Sequence, residues 1–347
     1  MNIHAGRCRI AILGASGFAG GELLRILSRH PGMEVVAAAA ATRVGRPIGD
    51  SYPWMAGAGS FVSVQEALDT QPDLLFASLP HTESMAVLAG YAGPAAVDLG
   101  GDFRLQDAAT YRQWYGAEHA APGNLADWVY GLTEWRRDEI AGARRVANPG
   151  CYPTAALLAL APLLAADAIT PGGIHIDALS GVSGAGRASG EGFDFVAVNE
   201  NLRAYSPTGH KHIAEIEQEL TAVAGVPVTV SFVPHLIPVT RGLLATCSAP
   251  LSGAATTEDL LGLLHQRYGG EPFVRVLPPG RLPETRRVAG TNIAEVTALV
   301  DPRTERAIAI AAIDNLGKGA AGQAVQNANL MLGFDEATGL DAAGLVP

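Results

Sequence analysis

Apolar positions along the chain change rhythm near residue 150. Residues Ile10 to Leu13 form a short apolar run, followed at once by Gly14-Ala-Ser16-Gly17-Phe-Ala-Gly20 and then by Glu22-Leu-Leu-Arg-Ile-Leu27, whose apolar residues recur at helical spacing. The expected order is strand, glycine turn, helix. His30-Pro31-Gly32 stops the helix, and Val35 to Ala41 is a second buried-strand run that completes a β-α-β unit. Further strand-like runs at Leu74 to Leu79, Ala95 to Leu99 and Val146-Ala147 are separated by helix-like or loop segments. Residues 1–150 therefore predict an α/β domain with a doubly wound, Rossmann-type parallel sheet.

After Cys151 strands dominate. A helix over Pro153 to Ala166 leads to strand candidates at Gly173 to Val182, Val226 to Pro238, Gly242 to Pro250, Asn292 to Val300 and Ala307 to Asp314. Few helices separate them, so residues 151–319 predict an α+β domain with a mostly antiparallel sheet. The last helix candidate, Gly322 to Leu332, carries apolar residues at Ala324, Val325, Ala328 and Leu332, and residues 320–347 are expected to return to the first domain.

Composition narrows the partners. A chain of 347 residues supports two cores, and 48% apolar against 17% charged residues suits a compact enzyme rather than a disordered chain. The net charge of -10, with no basic run longer than Arg136-Arg137 or Arg144-Arg145, argues against a nucleic-acid surface. Cys8, Cys151 and Cys247 are odd in number and show no CxxC spacing, so neither a disulfide framework nor a cysteine zinc site is expected, and a cytoplasmic location is. No membrane association is expected either: no signal peptide is visible, and the apolar run Ala155 to Ala166 contains Pro162 and falls short of the roughly 20 residues of a span.

The glycine turn has the spacing GxxGxxG. Glycines there let the backbone approach a pyrophosphate, and the following helix offers free amides, which makes Gly14, Ser16 and Gly17 cofactor candidates. An NAD site usually places Asp or Glu at the end of the second strand, whereas this chain has Thr42 and Arg43, which can hold a 2′-phosphate. NADP(H) is the expected cofactor, with a solvated surface arginine as the alternative for Arg43. Pro80, in Leu79-Pro80-His81, is a further cofactor candidate; His81 itself could line the same cleft or cap the next helix.

Cys151 sits in Asn148-Pro-Gly-Cys151-Tyr-Pro153-Thr, between a buried strand and a helix that Pro153 could begin. A helix N-terminus and a nearby imidazole would stabilise its thiolate. The candidate base lies in Gly209-His210-Lys-His212-Ile-Ala-Glu215, before a helical run; no further ligand at a suitable spacing turns these histidines into a metal site. Two more glycine-rich segments could offer amide nests: Ser180-Gly-Val-Ser183-Gly184-Ala-Gly186-Arg187, alternatively a hinge, and Asp314-Asn315-Leu-Gly-Lys318-Gly319, alternatively a plain turn and cap. Ser183, Gly184, Asn315 and Lys318 are assigned to the cofactor, and Arg187 and Glu215 to the substrate.

Taken in order, these segments, with Asp102-Phe-Arg104 and Tyr130-Gly-Leu132, resemble the N-acetyl-gamma-glutamyl-phosphate reductases, the arginine-biosynthesis branch of the semialdehyde dehydrogenase group. The resemblance spans nearly the whole chain. It implies Cys151 as nucleophile, His210 as acid-base residue, Arg104 as a substrate-phosphate ligand, a second domain like that of glyceraldehyde-phosphate dehydrogenase, and a homodimer or homotetramer. It also implies reduction of N-acetyl-gamma-glutamyl phosphate by NADPH to the semialdehyde and phosphate, through a thioester. Two departures are visible: Gly100-Gly101 where Ser-Ala is expected, and Thr133 where Pro is expected. Two other readings stand beside it, a carrier-linked aminoadipyl-phosphate reductase of lysine biosynthesis, for which this acidic chain shows no basic face, and a non-catalytic NADP-binding sensor, which would have no need of Cys151 and His210.

Overall fold

The computed structural model describes residues 6–187, 192–340 and 343–345. They divide into two compact units, the first comprising residues 6–149, 186–187 and 320–340, the second residues 150–185, 192–319 and 343–345.

The first unit alternates strands and helices: β1 (Cys8–Leu13), α1 (Phe18–Leu27), β2 (Met33–Ala39), α2 (Val64–Asp69), β3 (Leu74–Ala77), α3 (Glu83–Leu88), β4 (Ala95–Asp98), α4 (Ala108–Tyr115), β5 (Val129–Tyr130), α5 (Thr133–Gly142) and β6 (Arg145–Ala147). Its six strands pair in parallel in the order β2-β1-β3-β4-β6-β5. The central strands are apolar on both faces, as a sheet covered by helices requires: Ile10 to Leu13, Leu74 to Ala77 and Val97 are wholly buried. Strand order reverses between β1 and β3, the position at which open α/β sheets bind ligands beyond their carboxyl ends. β5 has only two residues and is too short for a periodic signal, which is why the sequence pattern omits it.

In the second unit α6 (Cys151–Ala165) is followed by β7 (Ile174–Gly181), α7 (Phe195–Val198), β8 (Arg203–Ala204), α8 (His212–Ala224), β9 (Val230–Ile237), β10 (Leu243–Pro250), α9 (Thr257–Tyr268), β11 (Val274–Val276), α10 (Thr285–Val288), β12 (Ala294–Asp301) and β13 (Arg306–Ile313). A seven-stranded mixed sheet runs β11-β12-β13-β10-β7-β9-β8, antiparallel except for the β7–β9 and β11–β12 pairs. Alternation along β10 buries Leu243, Ala245, Cys247 and Ala249 on one face. The sheet packs beneath α6, whose residues Tyr152 to Leu164 are all buried, as expected of a helix apolar all round.

α6 begins at Cys151 and not at Pro153. Proline is tolerated here because N–H groups of a helix's first turn have no intrahelical acceptor, so a ring at the third position removes nothing. After β13 a π-helical turn, Gly317–Ala321, precedes α11 (Gly322–Met331), which lies in the first unit against α5 and α1. No described helix is long and apolar enough to cross a membrane.

Candidate active site

Two clusters of sequence-predicted residues are assembled, one in each unit. In the first, Gly14 ends β1 with φ 74°, the left-handed region, and a Cβ there would overlap the Ser78 carbonyl beyond β3. Gly17 is the N-cap of α1, so no side chain covers the first amides of that helix. A Cβ at Gly20 would strike the Gly14 and Ala15 backbone, so this glycine sets how closely α1 lies on β1. The loop and helix N-terminus thus fit a pyrophosphate. Ser16 lies within this loop, and Pro80, exposed, follows β3 beside the same strand ends. Thr42 is exposed just past β2, and Arg43 donates through Nη1 to the Ser51 hydroxyl at 2.8 Å.

Arg104 and Arg187, assigned to substrate from the sequence, also belong to this unit. Arg104 is buried, donating to the Asn148 carbonyl at 2.8 Å and the Leu99 carbonyl at 2.9 Å, three residues before Cys151 in the chain. Arg187 lies over Phe18, 4.9 Å from its ring centroid, immediately beyond the glycine loop. The departure at Gly101 has a steric cause: Tyr115, stacked on Tyr111 at 4.4 Å, occupies the space a Cβ would need. Nearby, Asp98 at the end of β4 is fully buried, and desolvation pushes its carboxyl up to about 6.

The second cluster surrounds Cys151, the first residue of α6. The Thr154 amide and hydroxyl both donate to the Gly150 carbonyl at 2.9 Å, while the Gly150 N–H donates to Glu215 Oε1 at 2.8 Å. Glu215, 1% exposed, therefore acts on backbone: it fastens the first turn of α8 to the N-cap of the helix that carries the thiol. His212 opens α8 and stands three residues before Glu215, so both share the helix face that meets this N-cap.

His210 lies among rings. Tyr152, Tyr205 and Phe232 stand 5.7, 5.5 and 5.4 Å from it, centroid to centroid, and His212 4.7 Å. Burial first, and Lys211 second, push its imidazole down to about 4, and its Nδ1 accepts the His212 N–H at 3.2 Å. The Tyr205 hydroxyl donates to that of Tyr152 at 3.1 Å, and burial pushes Tyr205 up to about 12.

The two nests are tied to each other. Asn315 donates to the Ser183 hydroxyl and accepts the Gly242 N–H, both at 2.8 Å, tying the end of β7 to the start of β10. Asp314, the first residue of that segment, accepts the Arg241 guanidinium at 2.9 Å and the Leu316 and Gly317 amides. Gly184 lies beside Ser180, and Lys318 is wholly buried in the π-helical turn. Gly319 has a clear reason: a Cβ there would come within 2.9 Å of the Cys151 Cβ. Tyr152 and Gly319 stood inside recognised motifs without a role of their own, and Tyr205 lies outside every motif. Cys8 and Cys247 lie on β1 and β10, and no cysteine forms a disulfide.

The semialdehyde dehydrogenase NAD-binding domain family matches residues 9–143, and the semialdehyde dehydrogenase dimerisation domain family matches residues 151–315. An N-acetyl-gamma-glutamyl-phosphate reductase of Symbiobacterium thermophilum is 49% identical over 343 residues, covering 97% of this chain and 99% of its own; that of Pelotomaculum thermopropionicum is 48% identical, covering 98% and 99%. The chain belongs to the N-acetyl-gamma-glutamyl-phosphate reductase family. The chain shares its fold with aspartate-semialdehyde dehydrogenases. The Vibrio cholerae enzyme II, complexed with ASA, superposes on this chain with a TM-score of 0.71 at 19% identity, covering 94% of this chain and 99% of its own. The Candida albicans enzyme, solved with NADP, gives 0.66 at 18%, covering 94% and 99%.

Proposed function

We propose that this chain reduces N-acetyl-gamma-glutamyl phosphate to N-acetylglutamate 5-semialdehyde, releasing phosphate, in arginine biosynthesis. The observation that carries the reading is Cys151 at the first position of a 15-residue helix, its N-cap held by Glu215 beside two histidines, in a chain of this family. The helix dipole favours the thiolate, which attacks the γ-acyl carbon; the C–O bond to phosphate breaks and a thioester forms. The glycine loop and Arg43 would hold NADPH, which would supply the hydride that reduces the thioester carbonyl. The resulting thiohemiacetal oxyanion re-forms its carbonyl, the C–S bond breaks, and an imidazole delivers a proton to the departing thiolate.

Among the two imidazoles the surroundings favour His212 for that transfer. A group held near 4 carries almost no proton at neutral pH, which makes His210 a poor acid, and its Nδ1 is engaged by the backbone of His212. His210 then serves as the packed support of its neighbour. Arg104 is a candidate for substrate phosphate, and its two backbone bonds fix its guanidinium. Three cysteines outside any disulfide agree with a cytoplasmic site of action, and the dimerisation-domain match supports a homodimer or homotetramer.

The test is the reverse reaction. N-acetylglutamate semialdehyde, phosphate and NADP should give rapid NADPH formation that ceases without phosphate and in Cys151→Ser, which should still bind the coenzyme. Substantial turnover by the serine variant would overturn the covalent route. Activity only toward a carrier-linked aminoadipate semialdehyde would move the chain to the lysine-pathway reading.

A further inference from the structure

Around the glycine loop of the first unit stands a group of side chains whose arrangement neither the fold nor the chemistry at Cys151 requires. Tyr52 lies with its hydroxyl 2.9 Å from the Gly17 carbonyl and 3.1 Å from the Ala15 carbonyl, pinned to the loop. Its ring fills the space above Gly21, where a Cβ would collide with it, so the second glycine of the Gly20-Gly21 pair has a reason of its own. The Arg187 guanidinium lies over two rings, 4.9 Å from the centroid of Phe18 and 5.9 Å from that of Tyr52, and its charge opposes the rise that burial imposes on the Tyr52 phenol. Arg43, held by Ser51, also acts on the Tyr52 hydroxyl electrostatically.

Two guanidiniums therefore converge on one phenol, and neither has a carboxylate partner among the described residues. Like charges brought together without a counter-ion favour an anion between them. The same place keeps large apolar groups in solvent: Trp54, tilted against Tyr52 at 5.2 Å, is 58% exposed, and Phe18 is 36% exposed. Exposed aromatic faces beside paired arginines suit a nucleoside carrying a phosphate monoester. Past the end of β2 the chain reads Ala40-Ala41-Thr42-Arg43, without the carboxylate that would bond a free ribose hydroxyl.

We infer that Arg187 is a coenzyme-specificity residue: with Arg43 it grips the 2′-phosphate of NADP(H), and Phe18 and Tyr52 hold its guanidinium flat for that purpose. The inference deepens the reading that the chain uses NADPH and rests on it. It also moves Arg187 from the substrate, where the glycine-rich motif had put it, to the coenzyme.

Isothermal titration of the full chain with NADP+, NAD+ and 2′-AMP is the test, since it reads binding without turnover. Wild type should bind NADP+ more tightly than NAD+ and should bind 2′-AMP. Arg187→Ala should weaken NADP+ and 2′-AMP by about tenfold or more, as loss of a charge-assisted contact does, and leave NAD+ within about twofold. Arg187→Gln, which keeps a planar polar group on Phe18, should lose the same preference, separating lost charge from lost packing. Thermal melting of both variants confirms that each is folded. Equal weakening of NADP+ and NAD+ would place Arg187 at the shared pyrophosphate and overturn the inference, as would a change confined to the KM of the acyl substrate; in both cases the NADPH reading stands. A wild type that prefers NAD+ would overturn both.

Discussion

Single side chains here differ most in how their surroundings set their charge. His210 is pushed down to about 4 by burial, so it stays neutral over the physiological range. Because the folded value lies below the unfolded one, near 6.5, the stability it contributes is present above that value and is lost as pH falls toward 4. An imidazole titration by NMR should show one histidine that remains neutral below pH 5. If His212 moves the proton, His212→Asn should lower kcat by about 10²–10⁴-fold and remove the limb of the pH profile that reports it, while His210→Asn should cost less and keep that limb. The opposite ranking would return the role to His210. Asp98 has the opposite sign. Its carboxyl is pushed up to about 6, so its contribution is intact at low pH and is lost as pH rises from about 4 through 6. Asp98→Asn keeps the oxygen that accepts the Gly100 N–H and the Ser84 hydroxyl, and should raise Tm at pH 8 but not at pH 4. The gain should be at most about 3 kcal/mol.

At the scale of elements, the setting of Cys151, the proposed nucleophile, depends on how three backbone segments meet. Glu215 joins α8 to the N-cap of α6, and Gly319 lets the turn after β13 pass close to Cys151. Glu215→Ala leaves the Gly150 N–H without its acceptor and should destabilise the second unit by about 1–3 kcal/mol in denaturant unfolding, with Glu215→Gln recovering most of it. Gly319→Ala should slow alkylation of Cys151 by iodoacetamide and lower kcat, since a Cβ there presses on the Cys151 side chain; unchanged alkylation would show that the turn yields instead. In the first unit, Gly20→Val should push α1 off β1 and weaken coenzyme binding, measured directly.

For the molecule as a whole, two units with separate cores predict that a bound coenzyme stabilises chiefly the parallel-sheet unit. NADP+ at about 100 times its Kd should add about 2.7 kcal/mol to that unit. In calorimetry this would appear as a shift of one unfolding transition relative to the other. A single transition moving as one would mean that the two unfold together.

Local pattern alone determined the elements that are long and strongly periodic. The β-α-β start, the central strands of both sheets and α11 follow from apolar runs and helical spacing, because burial on a strand or helix imposes its own period on the sequence. The glycine loop and the Cys151 turn were legible for a related reason: left-handed φ at Gly14 and close approach at Gly20 admit little but glycine. The short strands β5, β8 and β11 were not, since two or three residues carry no period. Nor could sequence say what a polar side chain would meet. Asn315 proved to tie two strands, Glu215 to hold a backbone amide, and Arg187 to lie on Phe18. Such partners stand 65 to 169 positions apart in the chain: Glu215 from Gly150, Arg187 from Phe18. Hydrogen bonds and ring contacts act over a few ångströms, and only the folded backbone decides which distant residues come within that reach.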